Sequence, residues 1–201
     1  MATADAEAVS IRAISQAVGV TAPSIYRHFE DKDTLVLAVC ERAYDRFDDF
    51  IEAEASLAAD PLGDIKARAS AYVRFALANP GQYRFLFMSP STHKHPDFMN
   101  AHSFDRDQTH MTGLVQLMEA IDRGIAEGLV RPIASSMDMA VMLWAQVHGI
   151  ASLRIAQPDM PWPAADDQVA MLFDCLTHGL CTQSAIEQLD RRDRASGSTT
   201  G

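Results

Sequence analysis

SIRAISQAVGVTAPSIYRHFEDKDTLVLAV, residues 10–39, decides the reading of this chain. Ile11, Ile14 and Val18 recur at helical spacing and mark one buried face, with Ala13 and Ala17 small enough for a close helix crossing. Gly19 supplies the positive φ that a tight turn between crossed helices needs, and Val20 plugs the corner. A second helix, Thr21 to Phe29, opens with Thr21 as N-cap and Pro23 in its first turn. Ile25 and Phe29, four apart, bury it. Ala22, Ser24, Tyr26, Arg27 and His28 then lie on its outer surfaces. That set suits a DNA groove. An Arg bonds guanine bidentately or clamps a phosphate, and Tyr and Ser hydroxyls donate to phosphate oxygens. Lys32, opening the next helix, reaches toward the backbone.

Outward from this segment the chain reads as helices throughout, so the expected fold class is all-α. Strand alternation and hairpin turns are absent from the sequence. A long helix is expected from about Asp31 to Ala55. Asp60-Pro61 opens another, carrying Ile65, Ala69, Tyr72, Val73, Ala76 and Leu77 on one side, and Asn79-Pro80 closes it. A short segment, Gly81 to Met88, follows, then a loop over residues 89–96. Another helix runs from near Asp97 or His102 to Glu127, stopped by Gly128. Ser136 to about Ala156 and Asp166 to about Leu189 are the last two, joined by the proline-rich QPDMPWPA at residues 157–164. The polar tail RRDRASGSTTG reads as disordered.

The chain has 201 residues, 48% of them hydrophobic, enough for a substantial core. No apolar run reads as bilayer-spanning and MATADAEAVS lacks the pattern of a signal peptide, so a cytoplasmic location is expected. Cys40, Cys175 and Cys181 sit in apolar helical patterns and read as buried, reduced thiols. The formal net charge of −10 does not exclude DNA binding. Affinity depends on the few cations facing phosphates, and Thr21 to Phe29 carries Arg27 and no carboxylate.

AVGVTAPSIYRHFEDKDTLV resembles the helix-turn-helix signature of TetR-type regulators. Ala17, Gly19, Val20, Ser24, Tyr26, His28, Phe29, Lys32 and Leu35 stand at that family's preferred positions. The resemblance implies DNA contact by Ser10, Arg12, Thr21, Ala22, Pro23, Ser24, Tyr26, Arg27, His28 and Lys32. It also implies a further helix ahead of Ser10 that completes a three-helix core. Thr3 to Ala8 is too short and polar to supply it, so either the true start lies upstream or part of that core is absent. Without it, Ile11, Ile14 and Ile25 would lose apolar cover worth roughly 1–3 kcal/mol each.

The second half resembles a TetR C-terminal subtype marked by Trp-x-x-x-His-Gly, on YVRFALANPGQYRFLF (72–87) and WAQVHGIASL (144–153). Trp144 and His148 share one helical face, and Gly149 permits close backbone approach. Tyr83, Phe87, Met88, Met111, Met118, Trp144 and His148 are the candidate lining of a largely apolar effector pocket, with Met139 and Met142 adding adaptable wall. The same residues also read as ordinary core.

The domain organisation expected is a helix-turn-helix domain over 1–46, a ligand-binding and dimerisation domain over 47–190, and a tail over 191–201. In the resembling family the last two helices pair with a partner's, which implies a homodimer on a pseudo-palindromic operator of double-stranded DNA. The functional expectation is a repressor released by a small, mostly apolar effector. The alternative is a ligand-binding dimerisation module that no longer binds DNA. His93, His95, His102 and His110 lack metal-ligand spacing, no catalytic motif is present, and neither cofactor nor enzyme activity is expected.

Overall fold

The structure is a computed structural model and describes residues 10–88 and 112–178. Eight helices make up its regular structure among these residues: α1 Ile11–Val18, α2 Ala22–Tyr26, α3 Lys32–Ala55, α4 Pro61–Ala78, α5 Pro80–Met88, α6 Thr112–Ala126, α7 Ser136–Ala156 and α8 Ala165–His178. The helices begin where the sequence supplies caps. Ser10, Asp31, Asp60 and Ser135 each accept a backbone N–H from the first turn of α1, α3, α4 and α7. Gly128 follows the end of α6 with φ 71°. There the Leu129 and Val130 N–H groups donate back to Gly124 O.

Two compact units divide the chain, one ending at Ala165 and one beginning at Asp166. Within the first, α4 is the central element: it packs against α3, α5, α6 and α7. Its residues Ala71, Tyr72, Val73, Phe75 and Ala76 are all buried, as are Tyr83 and Leu86 of α5, Ile121 of α6 and Ala151 of α7. Phe47 of α3 stands edge-on to Tyr72, Phe75 and Phe87, with ring centroids at 5.4 Å, 5.1 Å and 5.2 Å. The α3 helix therefore enters the core by its second half, while its first turn follows directly on the α1–α2 pair. The second unit is described from α8, whose Met171 and Leu176 are exposed.

Several expectations change. In the first helix Ser15 is buried beside Ile11, whereas Val18 is 63% exposed and Val20 does not plug the corner, being 44% exposed. Ser15 tolerates burial because its hydroxyl donates to Arg12 O within the helix. The second helix is α-helical only over Ala22–Tyr26, since the residues after it close as a turn through the His28 and Phe29 N–H groups on Ile25 O. Around Gly149 the space is open: among the described residues nothing beyond its own helix backbone lies within 4 Å of where its Cβ would be. Ser136–Ala156, 21 residues long, holds an 18-residue stretch of mean hydropathy 1.3, and so does reach bilayer-spanning length and apolarity. It carries Asp138 and Arg154 near its ends and lays one face on α4 and α6. The expected start of the α6 region near residue 97 or 102, Met111, Cys181, the four histidines at 93, 95, 102 and 110, and the tail lie outside the described residues.

Candidate functional site

The α1–α2 pair forms the turn that the sequence asks for. Gly19 takes φ 73°, and the Val20 N–H donates to Ser15 O at 3.0 Å. Thr21 holds the extended N-cap conformation of α2 without a side-chain cap bond, and Pro23 fills the first turn. Ile25 is the residue of α2 turned inward, at 8% exposure. Its neighbours face out. Tyr26 is 55% exposed, and Ser10, Arg12, Thr21, Pro23, Arg27 and His28 are exposed with it. Ala22, Ser24 and Lys32 are intermediate. The Arg27 guanidinium donates to Ser24 Oγ at 3.2 Å, which holds it over the outer face of α2. Hydroxyl, phenol, imidazole and guanidinium groups thus share one surface with no carboxylate on α2 itself, the donor set that phosphates and base edges require.

The second cluster sits where α4, α5 and α7 meet. Tyr83 Oη lies 2.7 Å from His148 Nδ1, and Tyr72 Oη lies 3.1 Å from the same nitrogen. Trp144 Nε1 donates to Tyr72 Oη at 3.1 Å, and the two phenol oxygens are 3.4 Å apart. Phe87 adds ring contacts to Tyr72, Tyr83, Trp144 and His148. Burial raises the ionisation of Tyr83 to about 12 and that of Tyr72 further, and lowers that of His148, so all three are neutral near pH 7. Of the expected pocket residues, Tyr83, Phe87, Trp144 and His148 come together. Met118 is buried in α6, and Met88 is 45% exposed at the end of α5.

Sequence reasoning misses Tyr72 as a member. Its signal is a phenol in the middle of a buried stripe, which needs a partner for its O–H. Also unforeseen is the path from this cluster to α3: Phe47 touches Tyr72 and Phe87, and Tyr44 stands edge-on to Phe87 and donates to Leu86 O at 3.4 Å. One turn on, Asp48 accepts hydrogen bonds from the Gly113 N–H and the Thr112 side chain at the start of α6. Among the described residues, two of the cavities lie elsewhere. A polar one of about 470 Å³ has Glu52, Asp64, Arg68, Gln116 and Arg123 in its wall, and a more apolar one of about 450 Å³ lies between Phe29, Val39, Arg42, Gln82 and Phe85.

Comparison with known proteins decides what this arrangement belongs to. Residues 1–39 match the family model of the bacterial regulatory proteins, tetR family, and residues 65–180 match the tetracyclin repressor-like C-terminal domain. The chain belongs to the TetR family. No curated protein matches its sequence. Among solved structures, it is similar to a TetR family transcriptional regulator, PfmR from Thermus thermophilus, at 21% identity and a TM-score of 0.65, covering 88% of this chain and 92% of that one. The transcriptional regulator FadR from Bacillus subtilis, solved in complex with stearoyl-CoA, is similar at 12% identity and a TM-score of 0.70, with 88% and 91% covered. A Rhodococcus sp. RHA1 protein of unknown function reaches 24% identity and a TM-score of 0.69, with 88% and 87% covered. These likenesses are of fold. As a TetR-family regulator, the chain carries a DNA-binding helix-turn-helix and a helical ligand-binding C-terminal domain.

Proposed function

We propose that this TetR-family regulator is a repressor that binds a pseudo-palindromic operator as a homodimer and releases it when a small, mostly apolar effector binds. The observation that carries the reading is the exposure of Tyr26, Arg27 and His28 around an α2 anchored by buried Ile25. Ser10, Arg12, Thr21, Ala22, Pro23, Ser24 and Lys32 complete the DNA-contacting set, within a DNA-binding domain ending near residue 46. The effector is held by Tyr83, Phe87, Trp144 and His148, with Tyr72 behind them; Met88 and Met118 are further candidates, as is Met111, which lies outside the described residues. The stearoyl chain of the ligand in the FadR complex supports an apolar portion in the effector, the coenzyme A half of that ligand being charged.

Two copies pair through α7 and α8, in a domain that runs to about residue 190 with the tail beyond it. Val141, Met142 and Leu153 of α7, and Met171 and Leu176 of α8, are apolar and exposed, and the open face at Gly149 admits a second helix closely. A regulator that acts on DNA in this way works in the cytoplasm. Effector binding shifts Phe87 and Tyr72 against Phe47, which moves α3 and with it the spacing of the two recognition helices. Coupling of about 1–3 kcal/mol is enough for induction.

Replacing Tyr26 and Arg27 together by Ala tests the assignment. Binding to a DNA fragment from the flanking genomic region should fall to the non-specific level while sedimentation still reports a dimer. Equal binding by the variant and the unmodified chain would overturn the reading. Weak binding by both would favour a dimerisation module that does not bind DNA.

A further inference from the structure

We propose that the apolar cavity between Phe29, α3 and α5 is a second ligand site, one that takes a small molecule with a carboxylate on an apolar body. The cavity measures about 450 Å³, a size that holds a small organic ligand. Its apolar wall comes from three places: Phe29 at the end of the helix-turn-helix segment, Val39 on α3 and Phe85 on α5. Val39 is 48% exposed, apolar surface that gains by being covered. Gln82 Nε2 donates to Ala43 O at 3.2 Å, which ties α5 to α3 and sets the width of the gap. On α5, Gln82 and Phe85 stand three apart and line this cavity, whereas Tyr83 and Phe87, four apart, belong to the aromatic cluster. The site is therefore separate from that cluster.

The charge in the wall selects the ligand. Arg42 and Arg46 lie one turn apart on α3, and both line the cavity. Among the described residues neither guanidinium has a hydrogen bond or an ion pair. Glu41, Asp45 and Asp49, the acidic residues nearest them in sequence, are not in the wall, and no other carboxylate is. Two like charges at this spacing repel, and an anion between them removes the repulsion. A guanidinium also presents a planar fork that fits a carboxylate. The polar cavity of about 470 Å³ does not suit the same ligand. Carboxylates outnumber guanidiniums in its wall, and its Arg68 already donates to Asp64, Gln116 and Glu52. A DNA phosphate satisfies Arg42 and Arg46 but leaves Phe29, Val39 and Phe85 uncovered. An amphipathic anion serves both halves of the site.

Isothermal titration calorimetry of the full-length protein tests this with phenylbutyrate, phenylbutanol, phenylbutylamine and acetate. Phenylbutyrate should bind about tenfold tighter than the alcohol. The amine should bind more weakly still, and acetate, which has the charge without the apolar body, should not bind. Added salt should weaken phenylbutyrate and leave phenylbutanol unchanged. Arg42→Gln with Arg46→Gln should bring acid and alcohol to one affinity, with the circular dichroism spectrum kept because both side chains are exposed. Equal binding of acid and alcohol by the unmodified protein would overturn the inference, and so would no binding of phenylbutyrate. Neither result needs a variant to fold. A preference for the acid that survives the double substitution places the anion elsewhere and overturns it too. If phenylbutyrate does not bind and the double variant loses about two units of the salt slope for DNA binding, the arginines are phosphate contacts instead.

Discussion

Arg68 shows how much of this regulator depends on single buried contacts. Its side chain is 9% exposed and donates to Asp64 at 2.7 Å, to Glu52 at 2.9 Å and to Gln116 at 2.9 Å, which ties α4 to α3 and α6. Arg123 joins from α6 by pairing with the other Asp64 oxygen. Truncating Arg68 to Ala leaves the Asp64 carboxylate, 10% exposed, with one half-exposed partner. Loss of about 3–5 kcal/mol of unfolding free energy is expected in urea denaturation, and a loss within the error of the method would contradict this account. Of these partners only Asp64, one turn before Arg68 on α4, is within reach of helical spacing. Arg68 and Gln116 stand 48 positions apart and Tyr72 and His148 stand 76 apart, and helical periodicity says only that a position faces inward. The outward side of α2 was legible because Ile25 alone fixes which side of so short a helix is buried.

At the scale of elements, α3 is the piece on which both halves act. It has 24 residues, a length of about 36 Å at the helical rise. Its second half meets the aromatic cluster through Phe47 and caps α6 through Asp48. Burial, with Asp45 and Asp49 nearby, pushes the Asp48 carboxyl up to about 7, against the helix-end hydrogen bonds that lower it. The folded protein thus binds this proton more tightly than the unfolded chain does. The contribution of Asp48 to stability is fully present below about pH 4 and is lost as pH rises through about 7. Its slope is at most about 1.4 kcal/mol per pH unit. Asp48→Asn keeps an oxygen for the Gly113 N–H and removes the titration. Its thermal midpoint relative to the parent should rise between pH 4 and pH 8, and parallel pH profiles would contradict the assignment. The start of α4 was readable from Asp60-Pro61, since that cap satisfies a donor within its own turn, whereas Thr21 starts α2 without a side-chain bond. The exposure of Val18 and Val20 was not, because turn chemistry sets the crossing of two helices and says nothing of what covers them.

For the whole molecule, the account requires two copies. In the proposed dimer the exposed apolar side chains of α7 face a second copy, and a charge among them should separate the pair. Leu153→Glu is expected to give a monomer by sedimentation and to weaken specific DNA binding by roughly 100-fold, because two linked half-site contacts become one. A dimer of unchanged stability would place the interface elsewhere. The family was readable from residues 10–39 because the motif is local, and the all-α class from helical periodicity along the whole chain. The aromatic cluster was readable only in part, as it is assembled from three helices.

Selection of bound sequences from a random duplex pool by the full-length protein tests the central claim most directly. A dimeric helix-turn-helix regulator should enrich a pseudo-palindrome whose half-sites repeat at about one helical turn, or a multiple of it, and Tyr26→Ala with Arg27→Ala should abolish the enrichment. A pool that leaves selection as random as it entered, or the same motif enriched by the double variant, would contradict it.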